Sequence, residues 1–212
     1  MNVLFASSEV NPYAKTGGLA DVSGALPHAL RELGHDVWVI MPFYRRVLER
    51  NGLALSLEDL KEFIPPFQVP VGGRQEEVQI LFHEKGLGVP VFFVRHDGYF
   101  DREELYGTSK GDYSDNAERF IAFSRVILET CRRGSIRPDL IHCNDWQTSL
   151  VPVYLKTLYQ EDAVLNGIAS LLTIHNLGYQ GIFPPETMEL AGLDSKLFTL
   201  HGLEYYGQMS FL

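Results

Sequence analysis

Residues 3–40 read VLFASSEVNPYAKTGGLADVSGALPHALRELGHDVWVI, and this stretch decides the fold class. The apolar runs at 3–7 and 37–40 each have the length of a buried strand. Between them, apolar side chains recur every three or four positions, which is the period of an amphipathic helix: Leu19, Val22, Leu26, Leu30 and Leu33. Gly34 stands where a glycine C-cap would end that helix. The stretch therefore predicts a strand–helix–strand unit with parallel strands.

The same alternation continues towards the C-terminus. A helical period at 116–131 is followed by a strand-like run at 140–143, and a second helical segment at 148–158 is followed by a strand-like run at 169–174. Such an alternation is typical of the α/β class. We therefore expect one domain over residues 1–212, with a Rossmann-like, mainly parallel sheet and helices on both of its faces.

Three further β-rich segments interrupt this alternation, at 67–71, 78–83 and 89–94. Gly72-Gly73 and the stretch Lys85-Gly86-Leu87-Gly88 separate them. Short β-rich runs joined by glycine turns predict a hairpin-containing insertion or an extension of the sheet edge.

The C-terminal residues 207–212 read GQMSFL, which is mostly apolar and lacks a helix cap or a polar tail. This pattern favours a chain interrupted just inside a helix over a helix that completes the fold.

Composition excludes several classes of function. The chain has 18 Lys and Arg against 27 Asp and Glu, and its formal net charge of −9 disfavours binding to nucleic acid. Its only cysteines are Cys131 and Cys143, which are too few for a disulfide framework. We therefore expect both to be reduced thiols. No apolar run approaches the roughly 18 residues of a membrane span, and the N-terminus lacks a signal-peptide pattern. We expect a cytoplasmic protein that is not bound to a membrane.

The first loop with a chemical signature is Lys15-Thr16-Gly17-Gly18-Leu19-Ala20-Asp21. It follows the first predicted strand, and ligands of open parallel sheets bind at the carboxyl ends of strands. The two glycines let the backbone approach a ligand, while Lys15 and the helix N-terminus supply positive charge, a combination that suits a diphosphate. The string is neither a dinucleotide fingerprint nor a Walker loop. The alternative is a glycine turn with a purely structural role.

A second loop, Asn144-Asp145-Trp146, follows the strand at 140–143. A carboxylate beside an indole is typical of a sugar site, because the acid accepts hydroxyl hydrogen bonds and the ring stacks on the apolar face of a sugar. The alternative is that Asp145 caps the helix at 148–158.

The third loop is Thr173-Ile174-His175-Asn176, again at a strand end, where a lone histidine is often structural. A metal cluster of Cys143, His142, Asp145 and His175 matches no zinc spacing. The sequence also contains no Asp-x-Asp string. We therefore expect neither a metal nor another cofactor.

These loops resemble those of the bacterial glycogen synthase and plant starch synthase family. Matching strings run along nearly the whole chain: Ser7-Ser8-Glu9, Gly24-Ala25-Leu26-Pro27, Tyr113-Ser114-Asp115-Asn116, His142-Cys143-Asn144-Asp145-Trp146, 173–181 and His201-Gly202-Leu203-Glu204. The resemblance implies the N-terminal half of a GT-B glycosyltransferase that transfers glucose from ADP-glucose to the 4-hydroxyl of an α-1,4-glucan, with retention of configuration.

The resemblance also implies roles for individual residues. His175 and Asp145 would be catalytic, with the ring and backbone carbonyl of His175 near the transferring glucose. The donor-binding residues would be Lys15, Gly18, Asp21 and Asn176. The resemblance also places four residues along the cleft or near the acceptor: Trp146, Tyr99, Phe100 and Gln180. Some family members have Tyr-Asp-Arg where this chain has Tyr99-Phe100-Asp101-Arg102, so either Tyr99 supplies the hydroxyl or none is needed.

The resemblance implies a C-terminal nucleotide-binding domain as the partner of residues 1–212; we expect that domain to be absent from this chain and the chain alone to be inactive. Two alternatives remain open. One is a GT-B transferase that uses a UDP-sugar, since such enzymes share the Gly34-His35-Asp36-Val37 turn. The other is a non-catalytic glucan-binding module.

Overall fold

The computed structural model describes residues 1–49, 55–84 and 86–212. Its strands are β1 (Asn2–Ala6), β2 (Asp36–Pro42), β3 (Lys61–Val71), β4 (Arg74–His83), β5 (Val91–Arg95), β6 (Gly107–Thr108), β7 (Gly111–Asp112), β8 (Leu140–Asn144), β9 (Ala169–Thr173), β10 (Ile182–Phe183), β11 (Glu204–Tyr205) and β12 (Gln208–Ser210). Its α-helices are α1 (Gly18–Glu32), α2 (Arg46–Glu49), α3 (Asp97–Phe100), α4 (Asn116–Gly134), α5 (Leu150–Lys156) and α6 (Thr187–Leu190). Single 3₁₀ turns lie at Leu57–Asp59 and Ser195–Leu197.

A seven-stranded sheet in the order β3-β4-β5-β2-β1-β8-β9 forms the centre of the fold. The pairs among β5, β2, β1, β8 and β9 are parallel, whereas β3-β4 and β4-β5 are antiparallel. The predicted mainly parallel α/β sheet is confirmed, and the β3-β4 hairpin is the predicted extension of its edge. The predicted segment 89–94 corresponds to β5, which joins the parallel core. Lys85, in the predicted turn before it, lies outside the described residues.

The order of the strands places helices on both faces of the sheet. The chain crosses from β1 to β2 in one direction and from β8 to β9 in the other. Right-handed crossovers therefore put α1 and α5 on opposite faces, and α4 packs beside α5. The strand order reverses between β1 and β8, and such a reversal opens a crevice at the carboxyl ends of these two strands.

Helix α1 ends as the sequence predicts. The residue after its C-cap, Gly34, has φ +88°, and its N–H donates to the carbonyl of Arg31. The N–H of His35 donates to the carbonyl of Leu30, which completes a Schellman motif.

The predicted buried face of α1 is partly wrong. Val22 and Leu33 are 38% and 75% exposed. The side chains that α1 buries are mostly small: Leu19, Ala20, Ser23 and Pro27. A Cβ on Gly24 would lie 2.5 Å from the carbonyl oxygen of Asn11, so α1 packs closely against the backbone at Asn11. Small side chains permit this approach, whereas Val22 and Leu33 of the predicted apolar stripe remain exposed.

Helix α5 is shorter than the predicted 148–158 at both ends, and the residues before it use their side chains in local bonds. The hydroxyl of Thr148 donates to the carbonyl of Asn144, and that of Ser149 donates to the carbonyl of Trp146. Such side-chain bonds to the backbone compete with the first helical turn. Helix α5 consequently begins at Leu150.

The expectation of a helix at 207–212 is wrong. Strand β12 pairs antiparallel with both β10 and β11 in a small three-stranded sheet. Tyr206 and Gly207 have φ of +50° and +76° and form the two-residue hairpin turn between β11 and β12. Met209 and Phe211 are 0% and 2% exposed, so this segment packs into the core.

Candidate active site

Three polar loops meet at one edge of the sheet. They follow β1, β8 and β9, which are adjacent and parallel. Their carboxyl ends therefore lie side by side, at the crevice that the reversal of strand order opens. The structure thus joins the loops after β8 and β9 through Asp145 and His175, and the Lys15 loop follows the neighbouring strand β1.

The loop after β1 is organised by Glu9, whose side chain is only 4% exposed. One carboxylate oxygen accepts hydrogen bonds from the N–H groups of Thr16 (2.5 Å) and Gly17 (3.1 Å). The other accepts from the hydroxyls of Thr16 (2.6 Å) and Tyr106 (2.9 Å). Sequence reasoning gives Glu9 no role, although an acidic residue just after a buried strand was a visible signal.

Lys15 lies at the rim of this loop and pairs with Asp21. Its Nζ donates to both carboxylate oxygens of Asp21, at 2.6 and 2.7 Å. The two side chains are 36% and 52% exposed, so solvent screens the pair and it contributes little stability. Apart from the adjacent residues and the backbone of α1, no atom of the described residues lies within 4 Å of a Cβ built on Gly17 or Gly18, so there is open space beside both glycines.

Asp145 joins the loop after β8 to the loop after β9. Its Oδ1 accepts hydrogen bonds from the N–H groups of His175 (2.7 Å) and Asn176 (3.4 Å). Its own N–H donates to the carbonyl of Thr173, and its backbone has φ +55°. The N-cap of α5 is Ser149, so the alternative role of Asp145 as that cap is wrong. The carboxylate instead fixes the position of the His175 backbone.

Asn144 orients the imidazole of His175. Its Nδ2 donates to the carbonyls of Ala6 (3.0 Å) and His142 (3.2 Å), which leaves Oδ1 as the acceptor for His175 Nε2 at 2.9 Å. Nε2 is therefore the donor in this hydrogen bond. Since Ala6 ends β1, this single buried side chain connects all three loops, a role that the sequence does not reveal.

His142 links the strands β8 and β9 next to His175. Its Nε2 lies 2.7 Å from the hydroxyl of Thr173, which ties β8 to β9. Burial, and secondarily the nearby His175, lower the pKa of His142. The ring is therefore neutral at physiological pH and serves as a hydrogen-bonding element of the sheet edge.

Trp146 does not present its ring to the crevice. It is 8% exposed, and its ring lies edge-on to Phe120 at 4.9 Å between centroids. Phe183 and Phe211 pack against it at 5.6 and 6.2 Å. The hypothesis that this indole stacks on a sugar is wrong for the ring as it lies, because aromatic side chains already cover it.

Tyr99 and Phe100 are also buried, at 6% and 1% exposure, so the prediction that they line the cleft is wrong. Tyr99 stacks on His96 with ring centroids 4.0 Å apart, and its hydroxyl donates to Glu118 at 3.4 Å. Both residues belong to the short helix α3, and the ring of Phe100 contacts that of Phe123 in α4.

Asn176 and Gln180 shape the loop after β9. The Oδ1 of Asn176 accepts from the N–H of Gly178 at 2.9 Å, and the Nε2 of Gln180 donates to the carbonyl of Leu177 at 3.1 Å. Asn176 is exposed beside His175 and available to a ligand. Contacts of either side chain with substrate stay predictions.

Within residues 1–49, 55–84 and 86–212, no three histidine, cysteine or acidic side chains are grouped so as to hold a metal ion. Cys131 and Cys143 are buried free thiols, and burial raises the pKa of Cys131 to about 12. Of the helices in the described residues, none is both long enough and apolar enough to cross a membrane.

A solved structure identifies the fold class. The catalytic domain of starch synthase IV from Arabidopsis thaliana, bound to ADP and acarbose, superposes with a TM-score of 0.84 and 29% sequence identity. The match covers 99% of this chain and 41% of that one. The mainly parallel sheet, matched to 41% of that structure, has the fold of a GT-B glycosyltransferase domain.

Comparison of sequences identifies the family. The family model of the starch synthase catalytic domain matches residues 2–212, and the chain belongs to this family. A glycogen synthase from Syntrophotalea carbinolica is 51% identical over the whole chain, and one from Koribacter versatilis is 45% identical. The chain spans 42% of the length of each of these relatives.

Proposed function

We propose that the whole protein transfers glucose from ADP-glucose to the 4-hydroxyl of an α-1,4-glucan, with retention of configuration. The observation that carries this proposal is that the Lys15 loop, Asp145 and His175 follow the carboxyl ends of the adjacent strands β1, β8 and β9, where Asp145 bonds to the backbone of His175. Membership of the starch synthase family and the names of the glycogen synthase relatives support it. The finer choice of ADP-glucose over UDP-glucose rests on the family alone.

The Lys15 loop is suited to hold the donor diphosphate. The first-turn N–H groups of α1 have no intrahelical acceptors, and the helix dipole favours an anion there. Lys15 supplies a full charge once it exchanges Asp21 for a phosphate oxygen. Because this loop provides positive charge directly, we propose that the transfer uses no metal and no other cofactor.

His175 is suited to act on the transferring glucose. Asp145 fixes its backbone and Asn144 fixes its ring, so the imidazole is held before a ligand arrives. Such preorganised polar groups stabilise charge that develops in an oxocarbenium-like transition state. We propose that a C-terminal nucleotide-binding domain closes over these loops and supplies the remaining contacts.

The test is an assay of the full-length protein with ADP-glucose or UDP-glucose as donor and glycogen as acceptor. We expect transfer from ADP-glucose with a kcat/KM at least tenfold above that from UDP-glucose. A preference for UDP-glucose would show a different GT-B transferase. Binding of glycogen without turnover of either donor would show a glucan-binding module.

A further inference from the structure

Glu9 is a buried carboxylate in direct contact with the donor loop, and the function proposed above leaves it unassigned. Its partners are the N–H groups of Thr16 and Gly17 and the hydroxyls of Thr16 and Tyr106. The Tyr106 hydroxyl also lies 2.8 Å from the hydroxyl of Ser8. No cation forms an ion pair with Glu9 among the residues that the structure describes. Hydrogen-bond donors alone therefore hold this carboxylate.

The position of this carboxylate determines which backbone donors are left for an anion. Thr16 and Gly17 precede α1, and their N–H groups point inward to Glu9 rather than outward. The N–H groups that remain for a phosphate are those of the first turn of α1, beginning at Gly18. Glu9 thus directs the diphosphate to the helix itself and away from the preceding loop.

The same contacts hold the loop rigid. Gly17 and Gly18 have little intrinsic conformational preference, so a loop containing both would sample many conformations without an anchor. Glu9 fixes the two residues before Gly18 from one side, and Tyr106 connects Glu9 to a segment about a hundred residues further along the chain. A ligand that meets an ordered loop loses less conformational entropy on binding.

We propose that Glu9 is a positioning residue for the donor diphosphate: it acts through the backbone of Thr16 and Gly17 and does not touch the substrate. The proposal rests on the donor-binding function proposed for this loop.

Two substitutions at Glu9 separate positioning from charge. Glu9→Ala removes every contact, and we expect the KM for ADP-glucose to rise about tenfold or more, with a smaller change in kcat. Glu9→Gln can keep its oxygen towards the two N–H groups and turn its amide towards the two hydroxyls, which also accept hydrogen bonds. Glu9→Gln should therefore recover most of the lost affinity.

The matched control is Glu129, another buried glutamate at 6% exposure. It pairs with Arg132 and Arg133 near the C-terminal end of α4, and its Oε1 accepts from the Tyr159 hydroxyl at 3.1 Å. Glu129→Ala should lower Tm and leave the KM for ADP-glucose unchanged. A rise in KM for the Glu129 variant equal to that for Glu9→Ala would show a general loss of structure and overturn the proposal.

Hydrogen exchange tests the positioning without any substrate. The amides of Thr16 and Gly17 should exchange at least about tenfold faster in Glu9→Ala than in the wild type, and near the wild-type rate in Glu9→Gln. Unchanged exchange in Glu9→Ala, or a Gln variant as impaired as the Ala variant, would overturn the proposal. Faster exchange in a protein that turns over no nucleotide sugar would instead contradict the proposed function while leaving the loop anchor in place.

If Glu9→Ala does not fold, Tyr106→Phe takes its place, because it removes only one hydroxyl from the carboxylate. We then expect the KM for ADP-glucose to rise roughly threefold and amide exchange in the loop to quicken by a similar factor. No change in either quantity would overturn the proposal.

Discussion

Lys15 and Asp21 form an ion pair that a ligand can replace. Both side chains are more than one third exposed, and such pairs contribute on the order of 0–1 kcal/mol to stability. A charge-assisted bond to a phosphate contributes about 1.5–3 kcal/mol. We therefore expect Lys15 to contribute mainly to the binding of the proposed phosphate ligand and little to the stability of the fold.

Lys15→Ala should lower kcat/KM for ADP-glucose by roughly one to two orders of magnitude, because the phosphate contact is lost. Its Tm should stay within about 2 °C of the wild type, since the surface pair stabilises the fold so little. Kinetics and thermal unfolding of the full-length protein measure both. Lys61→Ala is the control, because Lys61 also forms an exposed pair, with Glu84, on the edge strand β3. Wild-type kinetics or a collapsed Tm in Lys15→Ala would contradict its role in donor binding.

His175→Ala isolates the contribution of the imidazole. The backbone of His175 is held by Asp145 through its own N–H, so truncation leaves the backbone carbonyl in place. We expect kcat to fall by about two orders of magnitude, with the affinity for ADP nearly unchanged, because the ring acts on the transferring glucose. Steady-state kinetics and ADP titration separate the two effects. A variant that loses ADP binding while kcat is intact would remove His175 from the catalytic residues.

At this scale the sequence identifies residues at strand ends but not their partners. Lys15, Asp145 and His175 follow predicted strands, and parallel topology brings such loops together. The roles of Glu9 and Asn144 could not be predicted from the sequence, because they depend on contacts between distant parts of the chain. Asn144, for example, bonds to Ala6, 138 residues away. Trp146 is misassigned for a related reason, since only the folded chain shows that Phe120 and its neighbours cover the ring.

At the scale of elements, left-handed backbone conformations at two glycines mark where α1 ends and where β12 begins. Gly34 occupies the left-handed region after α1, and Gly207 does so in the β11-β12 turn. The first of these is readable from the sequence because a helical period precedes the glycine. The second is not, because strands β11 and β12 have only two and three residues and show no alternation.

Gly34→Ala should destabilise the fold without affecting catalysis. A side chain at φ +88° costs about 1 kcal/mol, although no atom of the described residues other than the adjacent ones lies within 4 Å of the added Cβ. Chemical denaturation should show this loss, and kcat/KM should not change. Gly73→Ala is the control, because its φ is outside the positive range and its surroundings are equally open. Equal stability of the two variants would contradict the Schellman assignment.

At the scale of the whole molecule, folding and catalysis place different demands on residues 1–212. The core is continuous across the sheet, with Phe5, Phe93 and Phe120 fully buried. The candidate site, in contrast, is open: His175 and Asn176 are exposed, and Lys15 is 36% exposed. Water surrounding such groups weakens their electrostatic effect on a reacting substrate.

Residues 1–212 alone should therefore unfold in one cooperative transition but transfer no glucose. Positioning a donor between two walls of a closed site contributes several kcal/mol to lowering the barrier, and an open crevice offers one wall. We expect donor affinity in the range of about 1 mM or weaker, since only the Lys15 loop and the sugar-facing residues remain. Calorimetry with ADP-glucose, thermal unfolding and a transfer assay with glycogen measure the three quantities, with the full-length protein as the control. Measurable transfer by residues 1–212 alone would show that the three loops suffice for catalysis, and the proposed contribution of a C-terminal domain would then be wrong.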